Sequence, residues 1–224
     1  MSPTRFNLAE IRSSLDLTRR SFESINNSLD VKRHVLSREM VACLLEGYQL
    51  VDTWLGSDVD LFAIGNSKLI LELNTLVLCG SDPRIRREYS AHIIENKKHF
   101  YDDSNGGIGA LIEWYHTHLN EDVHHLVAGI YVQMISHPQL FLEGNHRTAV
   151  LLVSYLLGRC GQPPFILTPQ NAKPLLDQSV AIENLKKNSI GMMVQFNRFK
   201  NQLAEVFRDH LERRHGLGGL AAGE

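Results

Sequence analysis

Cysteine is scarce. The chain has three, Cys43, Cys79 and Cys160, an odd number with no short spacing between any two. That excludes a disulfide framework or a paired-cysteine metal knuckle and suits a reducing compartment. No apolar run reaches the roughly 18 residues that a membrane span needs. The opening stretch MSPTRFNLAEIRSSLD mixes charges too early to read as a secretory leader. An excess of one charge is missing as well. With a formal net charge of −2 there is no basic field to favour nucleic acid, and no acidic tail. No internal repeat is evident. What remains is 224 residues, 43 % of them hydrophobic, enough for one large domain or for one domain with a helical extension. The expectation is a cytoplasmic protein with neither nucleic acid nor membrane among its partners.

Helical periodicity dominates what is present. Leu8, Ile11, Leu15, Thr18, Phe22, Ile25 and Leu29 recur at steps of three and four, which predicts one amphipathic helix in an N-terminal extension, residues 1–36. Such a stripe either lies on its own domain or forms a short homodimer seam. Ser37 caps a second predicted helix through REMVACLLEGYQLVDTWL, and SKLILELNTLVLCG reads as a third that stops at Gly80. SAHIIENKKHFYDDSNGG has short apolar patches around a polar ENKK and closes on turn residues; it reads as a small β-hairpin. Helical period returns in IGALIEWYHTHLN and EDVHHLVAGIYVQMIS. It continues in the nearly all-apolar RTAVLLVSYLLGRCG, which reads as a core helix, and in two final helices before a small, Gly-rich tail at 209–224 that reads as flexible. The fold class expected is all-α with a hairpin.

Between two of these helices lies SHPQLFLEGNHR. Pro138 lacks an N–H and clashes with a preceding turn, so the first helix should stop near His137. Gly144 and Asn145 tolerate unusual backbone angles, and the next helix should be established by Arg147. A loop delivering into a helix N-terminus is an anion site, with free amides and the positive end of the dipole. Arg147 would add a planar donor for phosphate, Glu143 could hold a magnesium ion bridging phosphates, and His137 could face the same spot as a general base.

Phe141, Glu143, Gly144, Asn145 and Arg147 in this spacing resemble the Fic/Doc family, whose loop reads His-Pro-Phe-x-Asp/Glu-Gly-Asn-Gly-Arg with a second Arg three residues on. The likeness spans roughly residues 37–205, within an expected Fic-like domain of 37–208. It implies a helical bundle with a β-hairpin flap, here 90–103, that docks a hydroxyl-bearing target protein. It implies an ATP- and Mg2+-dependent nucleotidyltransferase of AMPylation type, moving AMP, or another nucleotide or phosphate moiety, onto that hydroxyl. On this resemblance His137 deprotonates the hydroxyl, Glu143 holds the metal on the diphosphate, and Asn145 with the amides of Gly144 to His146 cradles the phosphates. Arg147 stabilises developing charge, and Phe141 anchors the loop.

Three positions depart from the family pattern. The family's His stands two residues before the Phe, where this chain has Gln139. Two residues of helix turn about 200°, so His137 reaches the active side only if Pro138 ends the helix and the loop is two residues longer. His146 replaces the Gly before the Arg, and Val150 stands in place of the second Arg. A related inhibitory motif is incomplete, since Glu46 and Gly47 are present but Ala42 replaces the hydroxyl residue. These departures define the alternative: a Fic-fold binding or regulatory module without transfer chemistry. A metal reading of His116, His118, His124 and His125 is disfavoured by spacing, because on a helix the first two point about 200° apart and the last two diverge by about 100°, and no His-Glu-x-x-His run is present.

Overall fold

The computed structural model describes residues 5–217 except 106 and 188. Ten α-helices follow in order: α1 (Leu8–Ser28), α2 (Arg38–Gly56), α3 (Ser67–Cys79), α4 (Pro83–Glu88), α5 (Ser90–Phe100), α6 (Ile108–Thr117), α7 (Val123–Ile135), α8 (Asn145–Arg159), α9 (Ala172–Glu183) and α10 (Ile190–Asp209). Their ends follow local chemistry. The Ser37 side chain accepts from Met40 N and Asp122 from His124 N, so both act as N-caps. Asp82 caps α4 ahead of Pro83, where a missing N–H costs nothing. Gly80, at φ +67°, ends α3, and Gly161, at φ +76°, follows α8.

The buried centre is α8. Leu151, Leu152, Val153, Tyr155 and Leu157 are fully enclosed, and α8 packs against α7 on one side and against α2 and α3 on another, with α10 laid along α7. Burying residues all round a helix requires apolar residues all round it, which RTAVLLVSYLL supplies. The stripe of α1 is used inside the chain: Ile11, Leu15, Thr18, Phe22 and Ile25 are buried, and the four apolar ones belong to the same continuous core. It therefore offers no seam to a second copy. No helix among the described residues is long and apolar enough to cross a membrane.

Two expectations are corrected. The segment read as a hairpin flap is the helix α5, and among the described residues there is no strand, only isolated bridges at Phe6 with Gly216 and His137 with Lys186. His92, Ile93, Asn96, His99 and Phe100 share one face at steps of three and four, so the segment has a helical inner stripe. That stripe mixes polar and apolar residues, which hid it from a reading by hydrophobicity. The 209–224 tail is the other correction. Through Leu217 it packs back onto the N-terminal segment: a 3-10 turn at Arg213–His215 buries His215, which hydrogen-bonds Ser14 Oγ (2.8 Å), and Leu217 N donates to Arg5 O (2.6 Å). The remainder of that tail, 218–224, lies outside the described residues.

Candidate functional site

The loop from Ser136 to Gly144 joins the C-terminus of α7 to the N-terminus of α8. α7 ends at Ile135, ahead of a cis His137–Pro138 bond. Phe141 is 1 % exposed and stacks on Phe100 of α5 with ring centroids 5.1 Å apart, so it anchors the loop in the core. Gly144 is the N-cap of α8 at φ +80°, and a Cβ there would meet Asn74 Nδ2 at 2.9 Å, so both the backbone angle and the space call for glycine. No side chain caps the α8 N-terminus, so its first amides point into the mouth of the loop.

Asn145 holds the loop closed on itself. Its Oδ1 accepts from Phe141 N (2.8 Å), and its Nδ2 donates to Phe141 O (2.7 Å) and to Gln139 Oε1 (2.9 Å). Gln139 is held at its other end as well, Nε2 donating to Ile135 O (3.2 Å). Two asparagines then brace the loop from α3 and α5. Asn74 Nδ2 donates to Glu143 O and Thr148 Oγ1, both 3.0 Å. Asn96 Nδ2 donates to Asn74 Oδ1 (2.7 Å), and Asn96 Oδ1 accepts from Leu142 N (2.9 Å). His99 Nε2 bonds Gln139 O (2.8 Å), and His92 Nε2 lies 3.8 Å from Glu143 Oε2. The inner face of α5 thus contacts Gln139, Phe141, Leu142 and Glu143.

Two of the residues expected to grip phosphate make bonds to the scaffold. Arg147 donates to Val77 O (2.9 Å), a last-turn carbonyl of α3, and lies 3.9 Å from Glu143. Burial holds its pKa below the ordinary value. His146 points away from the loop mouth, Nδ1 bonding Tyr131 OH (3.0 Å) and Nε2 bonding Glu183 Oε1 (2.6 Å). Arg33 also reaches Glu183 Oε1 (2.9 Å), and Tyr131 OH contacts Ser179 Oγ (3.0 Å). Burial alone would raise the Glu183 pKa, but hydrogen bonds from His146 and Arg33 and their charges outweigh it, and the group falls to about 2.

His137 is exposed, while its backbone is fastened to the segment after α9: its N–H donates to Leu185 O and its O accepts from Lys187 N, both 2.8 Å. It and Gln139 therefore face different neighbours, His137 toward residues 185–187 and Gln139 toward Asn145. Val150 is buried apolar surface of α8. Glu46 has a structural role, accepting from Ser81 N (2.8 Å) just after α3.

Glu143 is the exposed carboxylate at the mouth, its side chain 61 % accessible. It offers one acidic donor with Arg147 and His92 as its nearest charged neighbours, so alone it does not make a resident cation site. A magnesium ion would have to bring its remaining oxygens with a phosphate ligand. Among the described residues no group of three His, Cys, Asp or Glu could hold a metal. The paired histidines have other work: His116 bonds Phe62 O (3.2 Å), His118 stacks on Trp114, and His124 and His125 both bond Asp122.

The sequence reading missed Asn74, Asn96, Tyr131 and Glu183. Only Asn74 carried a signal, as a lone amide inside the apolar run LELNTLVL; a polar group there must find a partner. No protein-family model, curated protein or solved structure matches this chain.

Proposed function

We propose that the chain is a Fic-like helical module that binds a partner and has lost group transfer. The observation that carries the reading is Gln139. It stands where the family places its base, an amide nitrogen has no basic lone pair, and both ends of this amide are already hydrogen-bonded, to Ile135 and to Asn145. His146 and Arg147 support it, since both ring nitrogens of His146 are taken by Tyr131 and Glu183 and one Arg147 donor goes to Val77 O. What remains is a rigid, internally satisfied loop suited to positioning a surface.

The test is incubation of the full chain with lysate and magnesium, once with alpha-labelled and once with gamma-labelled ATP, beside calorimetry with ATP alone. The expected result is no label on protein in either arm and no heat of binding. Transfer of alpha label would overturn the reading in favour of AMP transfer, and transfer of gamma label in favour of a kinase.

A second reading, AMP transfer, is favoured by one observation: His137 is exposed immediately before the loop, and the α8 amides beyond it carry no cap. In that reaction His137 takes the proton of a target hydroxyl and its oxygen bonds the α-phosphorus of ATP. Pyrophosphate leaves; Glu143 would be the residue to hold a magnesium ion, which would supply charge neutralisation there. His137→Ala would then abolish alpha labelling and Gln139→Ala would spare it; the reverse pattern would remove His137 from the role of base.

A further inference from the structure

Residues 210–217 run back across the N-terminal segment as a strap. Phe6 bridges Gly216, Asn7 N donates to His215 O (2.8 Å) and Leu217 N donates to Arg5 O (2.6 Å). The N-terminal segment is itself fixed from α2, where Asp52 accepts from Phe6 N (2.7 Å) and pairs with Arg5 (2.6 Å). One side chain of the strap is driven inward. His215 is 1 % exposed, and its Nε2 lies 2.8 Å from Ser14 Oγ, itself 2 % exposed in the middle of α1. Among the described residues His215 Nδ1 has no hydrogen-bond partner. Ser14 also lines a cleft of about 350 Å³ between α1, the turn at 168–170 and the strap, whose wall is made by Leu211, Glu212 and Arg214.

A neutral imidazole suits this position and an imidazolium does not. With its one proton on Nε2 the neutral ring donates to Ser14 and leaves Nδ1 a bare acceptor. A second proton sets an N–H on Nδ1 where no acceptor faces it, and takes a full charge out of water. The charged groups around the ring do little to offset this. Glu212 on the strap and Glu10 on α1 favour the cation and Arg214 opposes it, while Arg214 already holds both acids, Glu212 at 2.7 Å and Glu10 at 3.4 Å. Arg5, on the N-terminal segment, is committed to Asp52, and Asp209 and His210, at the end of α10, line the cleft. Burial outweighs the acids and holds the His215 pKa below the ordinary 6.5.

We propose that His215 is an acid-released clasp, whose protonation frees the strap, opens one wall of the cleft and uncovers Phe6. Linkage sets the direction. The open strap hydrates the ring and binds its proton more tightly than the closed one. The closed state is therefore fully held above pH 6.5 and weakens as pH falls from there toward the depressed value, with opening favoured by up to about tenfold per pH unit. Below the depressed value both states carry the proton and the effect levels off. The motif loop takes no part, so the clasp stands under either reading of it.

The test is amide exchange on the full chain between pH 8 and pH 5.5, each rate divided by its intrinsic rate at that pH. Protection of the Asn7 and Leu217 amides, which bond across the strap, should fall several-fold over that range while Val153, in the buried helix α8, keeps its own. His215→Gln removes the titration but retains an amide donor for Ser14, and should flatten the profile. His210→Gln, in the cleft wall, should leave it as in the native chain. A second readout needs no variant: the Cε1 proton shift of His215 should titrate below pH 6.5. Equal protection of Asn7 and Leu217 at the two pH values in the native chain would overturn the clasp. So would a native profile in His215→Gln, a flat one in His210→Gln, a parallel fall at Val153, or an imidazole that titrates at or above 6.5.

Discussion

Replacing Asn96 tests whether α5 holds the motif loop. Asn96 is 1 % exposed and bridges two groups, donating to Asn74 Oδ1 at 2.7 Å and accepting from Leu142 N at 2.9 Å. In Asn96→Ala both lose their partner. Asn74 is fully buried, so its oxygen faces the full desolvation penalty of about 1–3 kcal/mol. Leu142 is half-exposed, so water can reach its amide and the loss there is smaller. The sum is about 2–4 kcal/mol, or a fall in Tm of about 5–12 °C for a chain of this length. Asn74 cannot compensate by turning its amide over, because its nitrogen already serves Glu143 O and Thr148 Oγ1. Asn96→Asp separates the two halves of the bridge. It keeps an acceptor for Leu142 N but sets a carboxylate oxygen against Asn74 Oδ1, and should cost at least as much as alanine. Calorimetry gives the stability and amide exchange the local consequence, with Leu142 losing protection in Asn96→Ala and retaining more of it in Asn96→Asp. A change in Tm below about 1 °C with unaltered Leu142 exchange would refute the bracing role.

Further outcomes follow from the same geometry. Gly144→Ala should destabilise by about 1–2 kcal/mol for the left-handed backbone alone, plus the cost of displacing Asn74 Nδ2, read from urea midpoints; a neutral result would mean the loop adopts another path. Phe141→Ala should cost about 3–5 kcal/mol as a buried aromatic is removed, with the loss of the Phe100 stack included, and a value under about 1.5 kcal/mol would place Phe141 at a site that collapses freely. Glu183 is held well below the ordinary carboxylate pKa, at about 2. Its contribution is therefore complete above the unfolded value near 4.5 and is lost as pH falls toward 2. Glu183→Gln should lower stability at neutral pH and flatten the acid limb between pH 4.5 and 2, leaving a residual slope from Asp122, itself at about 2; an acid limb identical to that of the native chain would remove Glu183 as the source.

Much of the scaffold could be read from local chemistry. Ser37 and Gly80 bound helices where a cap or a stop was expected, and the apolar run after Arg147 is the central helix. The loop's own shape was legible too. Phe141, Gly144 and Asn145 act within five residues of one another, through burial, a positive φ and three short hydrogen bonds. α5 was not legible, because its inner face is built from His92, Asn96 and His99, which bury polar atoms against residues more than twenty positions away. A period in hydrophobicity cannot report a stripe made of amides and imidazoles.

The same distinction separates the form of the motif from its chemistry. Phe141, Gly144 and Asn145 shape a loop with partners inside that loop or directly beneath it. Positions 139, 146, 147 and 150 would supply the base and the phosphate grip, and each now has a partner from the scaffold: Asn145 for Gln139, Glu183 and Tyr131 for His146, Val77 for Arg147 and the apolar core for Val150. Drawing Arg147 or His146 back to a phosphate would leave a buried carbonyl of α3 or the Glu183 carboxylate without its donor, a penalty of about 1–3 kcal/mol for each neutral group and more for a charged one. A nucleotide would have to supply that free energy before any net affinity appeared.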